Sequence, residues 1–230
     1  MAKERPRIVV NFAITADGKV STRKRTPTGF TSPADKHRLR EIRSTGDAVI
    51  VGAGTVAADR MTMGLSDPDL RKLRQKRGQP PEPLRVLVSN SGRLDPKWKV
   101  FSYTSSPLIV FSTDRMSQAL RTKLASHCDL WLFRTGAVNL AEMLRILRQD
   151  YRVKTLVCEG GPTLFRSLLE INAVDELHLT WAPLIFGGQD APSVTGLPGD
   201  FLPKLVRCRL KKMETIGQEV FLSYQVQPTL

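Results

Sequence analysis

The sequence predicts an α/β protein with a mostly parallel central sheet, an antiparallel C-terminal hairpin, and helices on both faces of the sheet. Short runs rich in β-branched residues recur through residues 8–158, and segments with helical apolar spacing separate several of them. The chain then ends on two strand-like runs, 207–216 and 219–226, joined by a tight turn at Gly217-Gln218. Continuous apolar runs, unlike alternating ones, are typical of strands covered on both faces.

The elements follow in a regular order. Strands are predicted at 8–12, 48–51, 86–88, 108–111, 130–133, 155–158 and 176–182, ahead of the hairpin. Helices are predicted at 33–44, 117–126, 139–149 and 163–171. The first helix has the clearest start signal, because Ser32 can cap it, Pro33 suits its first position and Asp35 completes a capping box.

Composition favours an ordinary globular protein, which we expect to form one domain over residues 1–230. Hydrophobic residues make up 41% and charged residues 25%. No apolar run is long enough to span a membrane, and no secretory signal opens the chain. Cys128, Cys158 and Cys208 lack the spacing of a disulfide framework or zinc site, so we expect Cys158 and Cys208 to be buried free thiols of a cytoplasmic protein. Residues 60–84 are predicted to be a long basic surface excursion.

The net charge of +13 raises the possibility of nucleic-acid binding. Basic residues concentrate in 23–25 and 71–77, but aromatic residues are not interleaved with them and no nucleic-acid motif is present. We favour a solvated basic surface that attracts small anions, with a non-catalytic nucleic-acid-binding protein as the alternative.

The strongest local signal is Cys158-Glu159-Gly160-Gly161-Pro162-Thr163, between a predicted strand and a predicted helix. Two glycines allow close approach to the backbone, and a helix N-terminus offers free N–H groups to a phosphate. Glu159 stands at the carboxyl end of its strand, where α/β sheets place their ligands. A turn required only for chain reversal explains this segment equally well.

Weaker signals follow other strands. Gly52-Ala53-Gly54-Thr55 could admit a phosphate, although it lacks the full dinucleotide fingerprint. Asp17-Gly18-Lys19 follows the first strand and is consistent with an ordinary turn. Ser89 and Arg93 follow the third strand and could receive an adenosine phosphate. No metal site is predicted, because His37, His127 and His178 are scattered, and His178 is expected to be packed in a strand.

Taken in order, these segments resemble the reductase domain of riboflavin biosynthesis. The matching pieces are 11–20, 39–43, 47–56 with Asp59, 159–164, 174–177 and 182–188, which together span nearly the whole chain. The resemblance implies a dihydrofolate-reductase-like fold, a homodimer, and a stand-alone enzyme. It implies that NADPH donates hydride to C1′ of a ribosylamino-pyrimidine 5′-phosphate and yields the ribitylamino product.

The resemblance also assigns residues. Gly160, Gly161, Thr163 and Leu164 would meet the phosphate side of the cofactor, Gly52 and Thr55 its adenosine side, and Ser89 and Arg93 its 2′-phosphate. Thr15 and Asp17 would lie in a flexible loop near the nicotinamide. Asn11, Asp59 and Glu159 would face the substrate, with Glu159 accepting hydrogen bonds from the pyrimidine amino groups.

Three departures from the family pattern bear on the substrate. The family usually has a second acid and a proline after Asp59, where this chain has Arg60 and Met61; it often has an aspartate at Ser89, and a histidine at Arg40. Arg60 could reshape the pocket or bind the substrate phosphate. A reductase of the same fold acting on a pterin or dihydrofolate therefore stays as the first alternative.

Overall fold

The computed structural model describes residues 4–22, 30–196 and 201–227 of the chain. These residues form two compact units, each assembled from two stretches of sequence. Unit 1 contains the described parts of 1–6 and 43–157, and unit 2 those of 7–42 and 158–230.

The described residues contain nine strands and seven helices. The strands are β1 (Arg7–Thr15), β2 (Ala48–Gly52), β3 (Leu84–Ser89), β4 (Leu108–Thr113), β5 (Asp129–Phe133), β6 (Thr155–Cys158), β7 (Glu176–Ala182), β8 (Arg207–Ile216) and β9 (Glu219–Gln227). The helices are α1 (Pro33–Thr45), α2 (Ala53–Asp59), α3 (Pro68–Lys76), α4 (Lys99–Ser102), α5 (Gln118–Leu124), α6 (Leu140–Gln149) and α7 (Pro162–Glu170).

The strands of unit 1 follow the order β5-β4-β3-β2-β6. β2 pairs in parallel with β3, β3 with β4, and β4 with β5. Nearly every residue of β2, β3 and β4 is buried, which explains their continuous apolar sequence. Their carboxyl ends consequently meet at one edge.

Asp47, directly before β2, ties the start of β2 to the start of β6. Its carboxylate accepts hydrogen bonds from the backbone N–H groups of Lys154 and Thr155, both at 2.8 Å, and from the Gln79 amide at 3.0 Å. Its own N–H donates to the Thr155 carbonyl at 2.8 Å. The Asp47 side chain thus accepts from backbone N–H groups at the start of β6 that have no partner in the sheet.

The strands of unit 2 follow the order β1-β7-β9-β8. β1 and β7 are parallel, whereas β7 pairs antiparallel with β9, and β9 with β8. α7 packs on one face, where the rings of Phe12 and Phe165 are 5.3 Å apart. α1 packs on the other, where the Arg38 guanidinium lies 5.3 Å from the Phe221 ring centroid.

The α/β class with parallel strands and a C-terminal hairpin is confirmed, and every predicted strand and helix exists with small shifts at its ends. α2, α3 and α4 were not predicted, because none has a long apolar stripe. The capping box is wrong in one part: Ser32 Oγ does accept from Ala34 and Asp35, but the Ser32 N–H donates to Glu219 Oε1 at 2.8 Å. A buried carboxylate on β9 thus takes the role expected of Asp35.

The prediction of a long surface excursion at residues 60–84 is corrected by the structure. The segment contains α3, and Met63, Leu65, Arg74 and Glu82 are all at most 3% exposed. The sequence did not predict this burial, because basic residues dominate the segment and its few apolar residues form no clear pattern.

The basic cluster at 71–77 is therefore partly internal. Arg74 is fully buried, and its guanidinium donates to the carbonyls of Ser44, Gly46 and Pro80. The other predicted basic cluster, residues 23–25, lies outside the residues that the structure describes. Where the chain is irregular, arginine side chains donate the hydrogen bonds that backbone carbonyls would otherwise receive from a neighbouring strand. This internal use accounts for part of the net positive charge.

The cysteines are free thiols, as predicted, but only two of the three are shielded. Cys158 is buried, and burial raises the pKa of its thiol to about 12. The expectation that Cys208 is buried is wrong, because it lies exposed on β8. Among the described residues, no helix is both long and apolar enough to cross a membrane.

We predict that Asp47→Ala lowers the free energy of unfolding by about 2 kcal/mol, because it leaves three donors of unit 1 without their charged acceptor. Chemical denaturation measures the change. The control is Asp69→Ala, whose side chain is 91% exposed in α3 and should change stability by no more than about 0.5 kcal/mol. Equal stability of the two variants would contradict the role of Asp47.

Candidate active site

The turn between β6 and α7 forms the first part of the candidate site, in unit 2. Gly160 has φ of +114°, a conformation that glycine adopts without strain, and its peptide bond to Gly161 is cis. Gly161 occupies the N-cap position of α7 and makes no side-chain cap. The first N–H groups of α7, at Thr163 and Leu164, therefore lie where a helix can bind an anion.

Glu159 lies at the carboxyl end of β6, directly before the two glycines, and is partly exposed. Glu159 also interacts with other groups of the protein, and it remains partly exposed. Leu164, the other predicted residue in this turn, is buried at 8% exposure. Leu164 can therefore offer its backbone N–H to a ligand, whereas its side chain belongs to the core.

Asn11 lies in the middle of β1, beside His178 of β7. It is only 8% exposed, and among the described residues its side-chain oxygen has no hydrogen-bond partner. A buried acceptor without a partner costs free energy unless something completes it. The side-chain oxygen of Asn11 can therefore accept a hydrogen bond from a donor that reaches it.

Thr15 and Asp17 are held more tightly than a flexible loop requires. Thr15 Oγ1 donates to Asp17 Oδ1 at 2.5 Å, and the Asp17 carboxylate accepts from the N–H groups of Phe186 and Gly187. The Thr15 hydrogen bond, together with the two backbone donors, lowers the pKa of Asp17. The carboxylate of Asp17 is thus committed to the protein, and it orders the loop rather than offering a free group.

In unit 1 the turn after β2 leads directly into α2. Gly52 is the N-cap of this short helix and makes no side-chain cap, and Thr55 lies in its first turn. At Gly54 a Cβ atom would meet nothing within 4 Å, so the backbone there faces open space. A ligand can approach this turn closely, as the sequence predicted.

Asp59 is the last residue of α2, which ends because Arg60 adopts a left-handed conformation with φ of +49°. Asp59 is exposed, yet neighbouring protein atoms displace enough water to raise the pKa of its carboxyl group. A carboxylate with that tendency can hold or accept a proton at the end of α2.

The predicted residues after β3 differ in accessibility. Ser89 is 4% exposed, and its hydroxyl faces that of Ser91 at 3.5 Å. Arg93 is exposed and its N–H donates to Ser91 Oγ at 3.2 Å. Ser91 and Arg93 are therefore better placed than Ser89 to meet a phosphate.

Two further arginines lie beside Arg93 and were missed by sequence reasoning. Arg115 follows β4 and Arg134 follows β5, and both are exposed. The loops are packed together: a Cβ on Gly92 would be 2.5 Å from the Met116 nitrogen, and one on Gly136 would be 3.0 Å from Arg115 Nη2. The signal was available, since each arginine follows a strand whose end meets the same edge.

No carboxylate is paired with these three arginines within the described ranges. Asp114 is exposed next to Arg115 in sequence, and Asp95 caps its own turn by accepting from Lys97. We call these three exposed residues, which follow successive parallel strands, the arginine cluster (Arg93, Arg115 and Arg134); their charge suits a small, strongly charged anion.

The predicted site residues thus fall into two groups. Unit 2 brings together Glu159 to Leu164 in one turn and Thr15 with Asp17 in another, and unit 1 places Gly52 and Ser89 at the ends of neighbouring strands. Over the described part of the chain, no group of three or more histidine, cysteine or acidic residues could hold a metal ion. His178 is packed in β7, bonded to Ser223 Oγ at 2.9 Å and Glu176 Oε1 at 2.6 Å.

Comparison with known families gives a match over most of the chain. The sequence model of the family described as RibD C-terminal domain matches residues 6–222. The 2,5-diamino-6-ribosylamino-4(3H)-pyrimidinone 5′-phosphate reductase of Archaeoglobus fulgidus is 32% identical over 93% of this chain and 95% of its own. The enzyme of that name from Methanothermobacter thermautotrophicus is 30% identical, over 97% and 99% respectively.

Solved structures agree on the fold. A pyrimidine reductase-like protein from Corynebacterium diphtheriae superposes with a TM-score of 0.83 at 23% identity, over 96% of this chain and 92% of its own. RibD of Acinetobacter baumannii gives a TM-score of 0.80 at 21% identity, over 99% of this chain and 60% of its own. These likenesses concern the arrangement of strands and helices, and they agree with the predicted α/β class.

Proposed function

The chain belongs to the RibD C-terminal domain family, and we propose that it reduces a ribosylamino-pyrimidine 5′-phosphate to the ribitylamino compound in riboflavin biosynthesis. The observation that carries the proposal is the turn Glu159-Gly160-Gly161 at the carboxyl end of β6, which joins an accessible carboxylate to an uncapped helix N-terminus. The curated relatives from Archaeoglobus fulgidus and Methanothermobacter thermautotrophicus bear the name of this reductase.

The chemistry required of the chain follows from the reaction. Ring opening of the ribosylamine breaks the C1′–O4′ bond and moves the amine proton to O4′, which leaves an imine. Hydride then adds to C1′ and a proton to the nitrogen. The nicotinamide cofactor supplies the hydride when bound. The residues of the chain must hold the pyrimidine, orient C1′ and handle the protons.

Glu159 and Asn11 in unit 2 suit the pyrimidine, whose amino groups donate hydrogen bonds. Glu159 offers a partly exposed carboxylate, and Asn11 offers a buried oxygen without a partner among the described residues. In unit 1, Asp59 has a raised pKa, which favours a role in proton transfer. We assign these three residues to the substrate.

We propose NADPH as the cofactor, because unit 1 and unit 2 each carry features that bind phosphates. Gly160, Gly161, Thr163 and Leu164 would meet the pyrophosphate through backbone N–H groups, with Gly52 and Thr55 on the adenosine side. Thr15 would lie by the nicotinamide in the loop that Asp17 orders. The arginine cluster with Ser91, behind which Ser89 is buried, carries charge suited to a 2′-phosphate.

No observation specifically favours either of the two alternative functions. A reductase of a pterin or dihydrofolate would need a feature that separates it from the named relatives, and Arg60 alone does not supply one. Nucleic-acid binding loses support because Arg71 and Arg74, two of the clustered cations, bond within the protein.

We further propose that both units belong to a single reductase domain, since the family match at 6–222 runs through all the segments of both. We propose a cytoplasmic location because the three cysteines are free thiols, which is usual in a reducing compartment.

We also propose a homodimer that forms through one face of the unit 2 sheet. α1 packs on one face, and α7 packs on the other at β1. The remaining part, on β7, β9 and β8, is apolar and accessible: Trp181 is 45%, Leu210 50% and Met213 65% exposed. Their neighbours across the ladder are Val220, Leu222 and Tyr224.

A second copy of the same chain fits this surface best. The edge strand β8 carries Arg207, Arg209, Lys211 and Lys212, and a bulge between Leu210 and Lys212 disturbs its register. Such features discourage strand addition at the edge. The face around Trp181, Leu210 and Met213, by contrast, can pack on its own copy about a twofold axis, because its exposed large side chains are apolar.

We predict that the purified protein oxidises NADPH with one of the two ribosylamino-pyrimidine phosphates, deaminated or not, each assayed separately by loss of NADPH absorbance. Glu159→Gln should keep NADPH affinity and lose turnover by about 10²-fold or more, because the amide cannot accept from two amino groups as a carboxylate does. Turnover with neither substrate, or unchanged turnover in the variant, would refute the assignment.

We predict that Arg115→Gln weakens NADPH binding about tenfold and leaves NADH binding unchanged, because it removes one charge-assisted bond to the 2′-phosphate. Fluorescence titration with both cofactors measures this. Lys123→Gln, an exposed cation of α5, is the control of equal charge change. Equal losses for both cofactors or both variants would place the 2′-phosphate elsewhere.

We predict that Met213→Asp converts the protein from twice its chain mass of 25.7 kDa to the monomer, since a buried charge would face its own copy. Sedimentation equilibrium gives the mass. Leu73→Asp, at 39% exposure on α3, should leave the dimer intact. A monomeric unsubstituted protein would rule out the interface.

A further inference from the structure

The segment that follows α2, residues 61–65, has no regular secondary structure although it is largely internal. Met63 is 1% and Leu65 0% exposed, and Met63 has a left-handed backbone with φ of +64°. The segment begins two residues after Asp59, whose helix ends at the left-handed Arg60. The direction of the chain after Asp59 is thus set by whatever holds this segment.

The backbone of the 61–65 segment is held by hydrogen bonds to side chains rather than by pairing with a strand. Arg85 Nη1 donates to the Thr62 carbonyl at 3.3 Å, and Arg43 donates to the Gly64 carbonyl. Arg71 Nε donates to the Leu65 carbonyl at 2.5 Å, and the Leu65 N–H donates to Glu82 Oε2 at 3.0 Å. Four charged side chains from separate elements of the chain therefore converge on five residues.

Glu82 and Tyr103 join these contacts into one network. Glu82 is 3% exposed and pairs with Arg71, and the Tyr103 hydroxyl lies 2.8 Å from its Oε1 and 2.6 Å from its Oε2. The Tyr103 ring lies 5.1 Å from the Arg85 guanidinium, which also donates to the Tyr103 carbonyl at 2.7 Å. Burial and the neighbouring Glu82 raise the pKa of Tyr103, so the phenol keeps its proton.

The Tyr103 hydroxyl also packs directly against the segment. A Cβ atom at Gly64 would collide with it, so only glycine allows this approach. The phenol therefore fixes the position of Gly64 by contact and that of Leu65 through Glu82. Both effects reach the backbone within six residues of Asp59.

We propose that Tyr103 and Glu82 are positioning residues, which hold the 61–65 segment and thereby the orientation of the Asp59 carboxylate. Neither touches the substrate. The inference rests on the substrate role proposed for Asp59, and it explains why a buried charge network lies beside the irregular segment that follows α2. Loosening it should affect the reaction without affecting cofactor binding.

The test is Tyr103→Phe, which removes one oxygen and keeps the ring over Arg85. The control is Tyr151→Phe, a phenol of the same unit that bonds Trp131 at 2.9 Å and Asp129 at 3.2 Å on β5. Three quantities are measured for both variants: the exchange rate of backbone amides at 60–65, the Kd of NADPH, and kcat with the substrate of the unsubstituted protein.

We expect Tyr103→Phe to exchange faster at 60–65 and to lose kcat about tenfold, with the Kd of NADPH unchanged, since small misplacements of reacting groups are costly. Arg71→Lys, which keeps the charge beside Glu82 but loses the bond to Leu65, should behave similarly and serves if Tyr103→Phe folds poorly. Tyr151→Phe should change none of the three quantities.

Two results would overturn the inference: unchanged exchange at 60–65 in both Tyr103→Phe and Arg71→Lys, or unchanged kcat despite faster exchange. An equal loss of kcat in Tyr151→Phe would also overturn it, because the effect would then be general. Absence of turnover in the unsubstituted protein refutes the proposed function instead, and the exchange measurement still decides whether the network holds the segment.

Discussion

Parallel pairing is the constraint on which the candidate site depends, because it brings the carboxyl ends of neighbouring strands to the same edge. In unit 1 this places the turn after β2 beside the loops after β3, β4 and β5. Those loops contain the glycines, hydroxyls and arginines that can meet a ligand. Within the strands of unit 1, the buried Arg85 and the hydroxyl of Ser112 bond to backbone carbonyls, so the groups of this unit that can meet a ligand lie at the strand ends.

The chain uses charged side chains in two different ways. At the strand ends, Arg93 and Arg115 are exposed and have no carboxylate partner among the described residues. Arg74 of α3 and Arg85 of β3 are instead buried, and they donate to three and four backbone carbonyls respectively. The net charge of +13 therefore includes both buried arginines that bond backbone carbonyls and exposed arginines at strand ends. Composition alone cannot separate these two groups.

The order of strands and helices could be predicted from sequence because apolar periodicity records burial directly. The strand at 155–158 and the turn at Glu159 to Gly161 are examples, since a short apolar run ends at two glycines. The irregular stretch at 60–84 could not be predicted, because its stability comes from arginines that bond to distant carbonyls. Periodicity does not record such bonds, and the same residues look like a solvated surface.

The candidate site was predictable to a similar extent. Gly52, Asp59 and Glu159 lie where their motifs indicated, at the ends of strands or of a helix that follows one. Asp17 shows the limit: its type and position suggested a ligand contact, yet Thr15, Phe186 and Gly187 occupy its oxygens. Sequence identifies which residues lie near a site, but only contacts distinguish those that bind a ligand from those that order a loop.

The unit 2 sheet differs in how its edge and its face can associate with another chain. Lysines, arginines and a bulge make the edge of β8 unsuitable for adding a strand, while Trp181, Leu210 and Met213 leave its face accessible. An edge that discourages strand addition leaves packing face to face as the way for this sheet to cover its apolar side chains with a second copy. Because the face is the same on every copy, the proposed pairing about a twofold axis would cover the face of both chains at once.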